Sequence, residues 1–255
     1  MKNILLKTVI GTSVATAVLS SYIGRKKRAK QIIPDSINPK YVNDHKPYGI
    51  YEAYFKRPVD CALASTAIVV LSPVMAVTAI LVRSKIGSPV VFVQERPGKD
   101  GRLFKLYKFR TMTNATDENG ELLPDEERLT SLGKVLRNLS IDELPELFNI
   151  AEGDMSIIGP RPLLVRYLPY YTLEEMHRHD VRPGLSGLAQ INGRNYVPWD
   201  RRLAYDLEYV NRITLKEDIQ IVLKTIVKTI SRSDIAINTD EIENYLDEER
   251  RDRNA

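Results

Sequence analysis

Two adjacent carboxylates, Asp142 and Glu143, sit in the run Leu139-Ser140-Ile141-Asp142-Glu143-Leu144-Pro145-Glu146-Leu147-Phe148-Asn149. A basic stretch with Lys134 and Arg137 precedes them, and Gly153-Asp154-Met155-Ser156-Ile157-Ile158-Gly159-Pro160-Arg161-Pro162 follows. Paired carboxylates beside cations, followed by a phosphate-friendly loop, are the residues here most suited to chemistry. The local alternative is a helix start, because Ser140 with Glu143 three residues on is a capping-box pattern. Pro145 fits that register poorly, since it would fall where a helix needs a backbone N–H. The cap explains the pair only in part.

These residues need elements to hold them. Val90 to Gln94 and Leu103 to Phe109 alternate as strands around Pro97-Gly98-Lys99-Asp100-Gly101, which predicts a β-hairpin. Lys108 and Arg110 leave its second strand, either solvated or aimed at an anion. Residues 113–128 are polar and acidic and read as a surface loop. Leu129, Leu132, Val135, Leu136 and Leu139 recur at helical spacing and deliver the chain to Asp142. A second stripe, Leu215, Ile219, Val222, Leu223, Ile226, Val227 and Ile230, carries Lys216, Lys224 and Lys228 among it. Either helix can lie on a core or at a membrane interface with its cations toward lipid phosphate.

Cys61 to Val82 contains no charge and approaches the roughly 20 residues that span a bilayer. Lys56 and Arg57 flank one end, Arg83 and Lys85 the other, so the charge rule gives no direction of crossing. Ser72-Pro73 lies near the middle, where proline removes a helical hydrogen bond. This predicts a re-entrant helix broken at Ser72 and Pro73, against the alternative of a kinked span. Residues 1–24 are weakly apolar and read either as a membrane anchor or as a signal peptide. Residues 25–54 read as a basic, proline-containing linker, 55–86 as the membrane helix, 87–238 as a catalytic domain and 239–255 as a charged tail.

The 255 residues carry a net charge of +4 and favour anionic partners. Cys61 is the single cysteine, so no internal disulfide forms. His177 and His179, among Glu174, Glu175 and Asp180, read as a solvated face rather than a metal site. The cations are interleaved with membrane-type apolar runs rather than stacking aromatics, which argues against nucleic acid.

Several blocks together resemble the bacterial sugar transferase family, the monotopic phosphoglycosyl transferases. They are Lys56-Arg57-Pro58-Val59-Asp60, Tyr107-Lys108-Phe109-Arg110-Thr111-Met112, Ser140 to Leu147, Gly153-Asp154-Met155-Ser156 with Gly159-Pro160-Arg161-Pro162, Arg182-Pro183-Gly184-Leu185-Ser186-Gly187, and Ala189-Gln190-Ile191-Asn192-Gly193-Arg194. The resemblance covers about residues 55 to 235. It implies a mainly helical α+β protein: a re-entrant membrane helix, interfacial amphipathic helices, and a small cytoplasmic domain with a β-hairpin, at the bacterial inner membrane. It also implies transfer of a sugar 1-phosphate from a UDP-sugar to polyprenyl phosphate, with release of UMP. Asp142 would be the nucleophile that forms an aspartyl-phosphosugar, and Asp142 with Glu143 would hold Mg²⁺. Lys108, Arg110, Arg137 and Arg161 would bind substrate phosphate, the arginines by a bidentate fork. Gly184, Gly187 and Arg194 would border the nucleotide or sugar. Asp206 and Asp218 either anchor the arginines or lie on helix surfaces. The rival reading is a membrane-anchored scaffold without catalysis in a polysaccharide assembly complex. The sugar, the pathway and self-association stay open.

Overall fold

A long apolar helix forms the base of the molecule. The computed structural model describes residues 37–193, 197–231 and 245–254. The calls on residues 1–24 and on Arg194 lie outside them. After a π-helical turn at Tyr51–Phe55, α1 runs from Lys56 to Lys85. At 1.5 Å per residue its length is about 45 Å. Among the described residues this is the one helix long and apolar enough to cross a membrane.

One face of α1 is buried at Lys56, Asp60, Ala64, Ile68, Ser72, Met75, Thr78 and Val82, steps of three and four that trace a single helical stripe. Ala64 and Ile68 join Phe104, Leu106, Leu147, Ile150 and Met155 in one core cluster. Met75 and Val82 join Phe109 and Leu136 in another. The opposite face leaves Leu63, Val69, Val70, Val77 and Ile80 exposed. The break expected at Ser72 and Pro73 is absent, because both lie inside a continuous helix. Pro73 has no N–H for the carbonyl of Val69, four residues back. The Ser72 hydroxyl donates to that carbonyl at 2.8 Å and satisfies it.

The hairpin follows as expected. β1 (Val91–Pro97) pairs antiparallel with β2 (Leu103–Phe109), in a register that sets Phe92 opposite Lys108 and Arg96 opposite Phe104. The loop after it is not wholly irregular, as Met112 bridges Leu129 and Thr116 bridges Leu122. α2 (Ser131–Asn138) is N-capped by Thr130, whose hydroxyl accepts from the Gly133 N–H at 2.9 Å.

α3 spans Glu146–Glu152 and starts after Pro145. A short parallel pair, β3 (Ser156–Ile158) with β4 (Gly184–Ser186), then crosses the domain. α4 (Trp199–Asn211), α5 (Leu215–Ser231) and α6 (Leu246–Asn254) complete the described chain. The result is mainly helical α+β. On α5, Leu215, Ile219, Leu223, Ile226 and Val227 are exposed while Ile221 is buried, so most of the predicted stripe faces away from the core. The described part of the charged tail, Leu246–Asn254, is a docked helix: Leu246 is fully buried, and Arg250 bonds both oxygens of Glu175 at 2.6 Å.

Candidate active site

The acidic pair is built by three elements that meet at β2. Asn149 of α3, completely buried, accepts from the Tyr107 N–H at 3.1 Å and donates to the Lys105 carbonyl at 2.7 Å. Its amide thus plugs the free edge of β2 and fixes α3 against the hairpin. On α2, a Cβ at Gly133 would stand 2.0 Å from the Thr111 carbonyl oxygen, so only glycine allows that approach. One turn on, Arg137 donates to the Thr111 hydroxyl at 3.2 Å.

Between these helices Ser140 adopts a left-handed conformation (φ 53°) and Ile141–Glu143 form a 3₁₀ turn. The Ser140 side chain makes no capping bond, so the capping-box alternative fails. Pro145 instead precedes α3, where its missing N–H costs nothing. The turn points the two carboxylates to different fates. Glu143 is pinned through one oxygen, Oε1, to Lys108 Nζ at 2.7 Å and to Arg161 at 2.8 Å. The carboxylate of Asp142 accepts no hydrogen bond and joins no ion pair among the described residues, although Asp142 is only 9 % exposed.

The electrostatics differ accordingly. Burial and the Glu143 charge push Asp142 up to about 6 against the pull of Lys108, Arg137 and Arg161. Burial opposes ionisation of Glu143 as well, but Lys108 and Arg161 outweigh it and hold Glu143 well below the usual range. A third carboxylate joins them. Glu146, 2 % exposed, lies 3.2 Å from Lys108 Nζ, and burial above all raises it to about 7.

The structure therefore brings Lys108, Arg137 and Arg161 around Asp142 and Glu143. Arg110 is elsewhere: its guanidinium donates to the carbonyls of Met112 and Ser88 at 2.8 and 2.7 Å and braces the end of β2. Gly184 and Gly187 abut backbone, since a Cβ on either would fall 2.1 and 2.3 Å from the Gly159 main chain. Glycine is needed there for the β3–β4 crossing. Asp206 does anchor an arginine: its buried carboxylate holds Arg178 at 2.7 Å, and Arg178 in turn donates to the Arg161 carbonyl at 2.7 Å. Asp218 receives Lys56, Tyr51 and Tyr209, each at 2.7 Å, and ties α1 to α5. The solvated-face reading fails for His179, which is 3 % exposed and held down to about 3 by burial and by Arg178. Glu146, 3.2 Å from Lys108, was missed, and its signal was the i,i+3 spacing from Glu143.

Residues 51–232 match the family model of the bacterial sugar transferases, and the chain belongs to that family. It is 49 % identical over 175 residues to the uncharacterized sugar transferase EpsL of Bacillus subtilis, covering 69 % of this chain and 87 % of that protein. It is 40 % identical over 204 residues to the UDP-N-acetylgalactosamine-undecaprenyl-phosphate N-acetylgalactosaminephosphotransferase of Aeromonas hydrophila, covering 75 % of this chain and 47 % of the relative. With the UDP-glucose:undecaprenyl-phosphate glucose-1-phosphate transferase of Klebsiella pneumoniae, identity is 38 % over 184 residues, covering 68 % and 40 %. The chain thus spans less than half the length of these last two relatives.

Proposed function

We propose that this protein moves a sugar 1-phosphate from a UDP-sugar to undecaprenyl phosphate in two steps through Asp142, opening a surface polysaccharide or glycoconjugate pathway. The observation that carries this reading is the contrast within the acidic pair. Glu143 is immobilised by Lys108 and Arg161, while Asp142 has no partner among the described residues and a carboxylate that burial raises to about 6. A nucleophile must be free; an electrostatic anchor must not be.

In the first step an Asp142 oxygen attacks the phosphorus bonded to the sugar. The P–O bond to UMP breaks, UMP leaves with the electron pair, and an acyl-phosphate remains. In the second, an oxygen of undecaprenyl phosphate attacks the same phosphorus. The bond to Asp142 breaks, which restores the carboxylate and leaves a lipid diphosphate sugar. Asp142 and the second oxygen of Glu143 are hard anionic donors of the kind Mg²⁺ takes, so the residues fit that ion. When bound, it supplies charge neutralisation for the diphosphate. Lys108 and Arg161 hold Glu143 in place, and Arg137 favours ionised Asp142.

Two observations support insertion from one side of the membrane. The domain covers one face of α1 along its whole length, which a crossing normal to the bilayer would drag through the lipid. Cations flank both ends of the helix, so both favour the cytoplasmic side. Exposed Leu215, Ile219, Leu223 and Ile226 would let α5 lie in the interface.

The test is intact mass spectrometry of detergent-purified protein after incubation with Mg²⁺ and UDP-glucose or UDP-N-acetylgalactosamine, without lipid. The expected result is a phosphosugar adduct mapped to Asp142 with about one UMP released per chain, both lost in Asp142→Asn. If UMP appears only when lipid is present and no adduct forms, direct in-line transfer with Asp142 as a metal ligand is the better account.

A further inference from the structure

The cations nearest the acidic pair are largely committed. Lys108 is shared between Glu143 and Glu146, and Arg161 is drawn to Glu143. Bringing a diphosphate or a lipid phosphate to Asp142 needs positive charge that no carboxylate has already neutralised. Arg96 supplies it. In the β1–β2 register Phe92, Gln94 and Arg96 share a face with Lys108, Leu106 and Phe104. That is the face from which Lys108 reaches Glu143.

The Arg96 guanidinium forms no ion pair among the described residues. One terminal nitrogen donates to Gln94 Oε1 at 2.6 Å, and its buried Nε has no partner. Nearby, the hydroxyl of Tyr171, a residue 5 % exposed, is likewise buried without a partner. Burial above all, and then the Arg161 charge, lowers the Arg96 guanidinium to about 10, while the Glu146 carboxylate pulls the other way. An arginine whose buried Nε lacks a partner, on the strand face that carries Lys108, with the buried Tyr171 hydroxyl also free, offers donors to an anion.

Resting on the transferase reading above, we propose that Arg96 is a phosphate-binding residue of this site and receives a substrate phosphoryl group together with Arg161. The phosphoryl group has two sources, the nucleotide diphosphate and the lipid phosphate. Titration of UDP in Mg²⁺, and separately of undecaprenyl phosphate in detergent, into the wild-type chain, Arg96→Gln and Arg96→Lys distinguishes them. Lys99→Gln, an exposed turn position, is the control. The expected result is a tenfold or greater loss of affinity in Arg96→Gln for one ligand, with melting temperature unchanged. A loss confined to UDP assigns the diphosphate, and a loss confined to the lipid assigns the acceptor. Arg96→Lys should still lose about threefold, because an ammonium does not reproduce the fork. Affinities for both ligands equal to wild type in Arg96→Gln overturn the proposal. If Arg96→Gln does not fold, full affinity in Arg96→Lys does so. Failure of the transferase reading itself would look different, since the wild-type chain would then bind neither ligand.

Discussion

Asp142 and Glu143 are neighbours in sequence yet titrate in opposite directions, and the cause is which of them the cations can reach. Lys108 and Arg161 converge on Glu143, so the buried Asp142 keeps most of its desolvation cost. Its role as nucleophile requires the ionised form. Adduct formation without lipid should therefore fall as pH drops through about 6, to roughly a tenth of the plateau at pH 5. A stopped-assay pH series of UMP release measures this, and a flat profile from pH 8 to 5 would remove Asp142 as the titrating nucleophile. Glu146 offers a separate measurement. Its folded-state value, raised to about 7, exceeds the unfolded one, so folding takes up a proton there. The native state is favoured below the unfolded value, and that advantage is lost as pH rises through about 7. Glu146→Gln should then stabilise the protein at pH 8, by on the order of 1–3 kcal/mol, and change little at pH 4. Denaturant melts at the two pH values decide it; destabilisation at pH 8 would mean that the bond to Lys108 outweighs burial.

Elements matter here through the ways they are tied. Asn149 fastens α3 to β2, Gly133 lets α2 close on Thr111, and Asp218 fastens α5 to the base of α1. The last tie is the most exposed to test, because Asp218 is 6 % accessible and holds a buried ammonium and two phenols. Asp218→Asn would leave Lys56 with only Asp60, 3.9 Å away. Removing one member of a buried ion pair costs about 3 kcal/mol or more, since the other charge remains desolvated. The variant should melt well below wild type in detergent and release a protease-sensitive α1–α5 junction. A melting temperature within a degree of wild type would show that Asp60 compensates fully.

For the whole molecule the decisive relation is between a long apolar helix and a domain packed along it. Single cysteines at the exposed Tyr54 and Lys85 positions, in a Cys61→Ser background, should both be labelled by a membrane-impermeant maleimide from the cytoplasmic face of inverted vesicles. Labelling of the two from opposite faces would establish a simple crossing and end the one-sided account.

The chain's local chemistry was legible from the order of its residues. The hairpin, the apolar helix, the helix ahead of Asp142 and the α5 stripe all follow from periodicity and turn residues, which act over a few positions. So did the acidic pair and three cations around it, Lys108, Arg137 and Arg161. Arg110 and Arg96 show what spacing leaves open. Both belong to the same hairpin region, yet one is spent on the Ser88 and Met112 carbonyls, while the other bonds the Gln94 side chain and keeps a buried Nε without a partner among the described residues. Strand alternation assigns a face, but which partner fills it depends on residues far away in sequence. The same holds for Gly184 and Gly187, whose neighbour is the Gly159 backbone. Types and periods are set by covalent order. Burial, the pairing of charges and the direction of every titration are set by long-range contact, because a charge is worth most where water has been excluded around it.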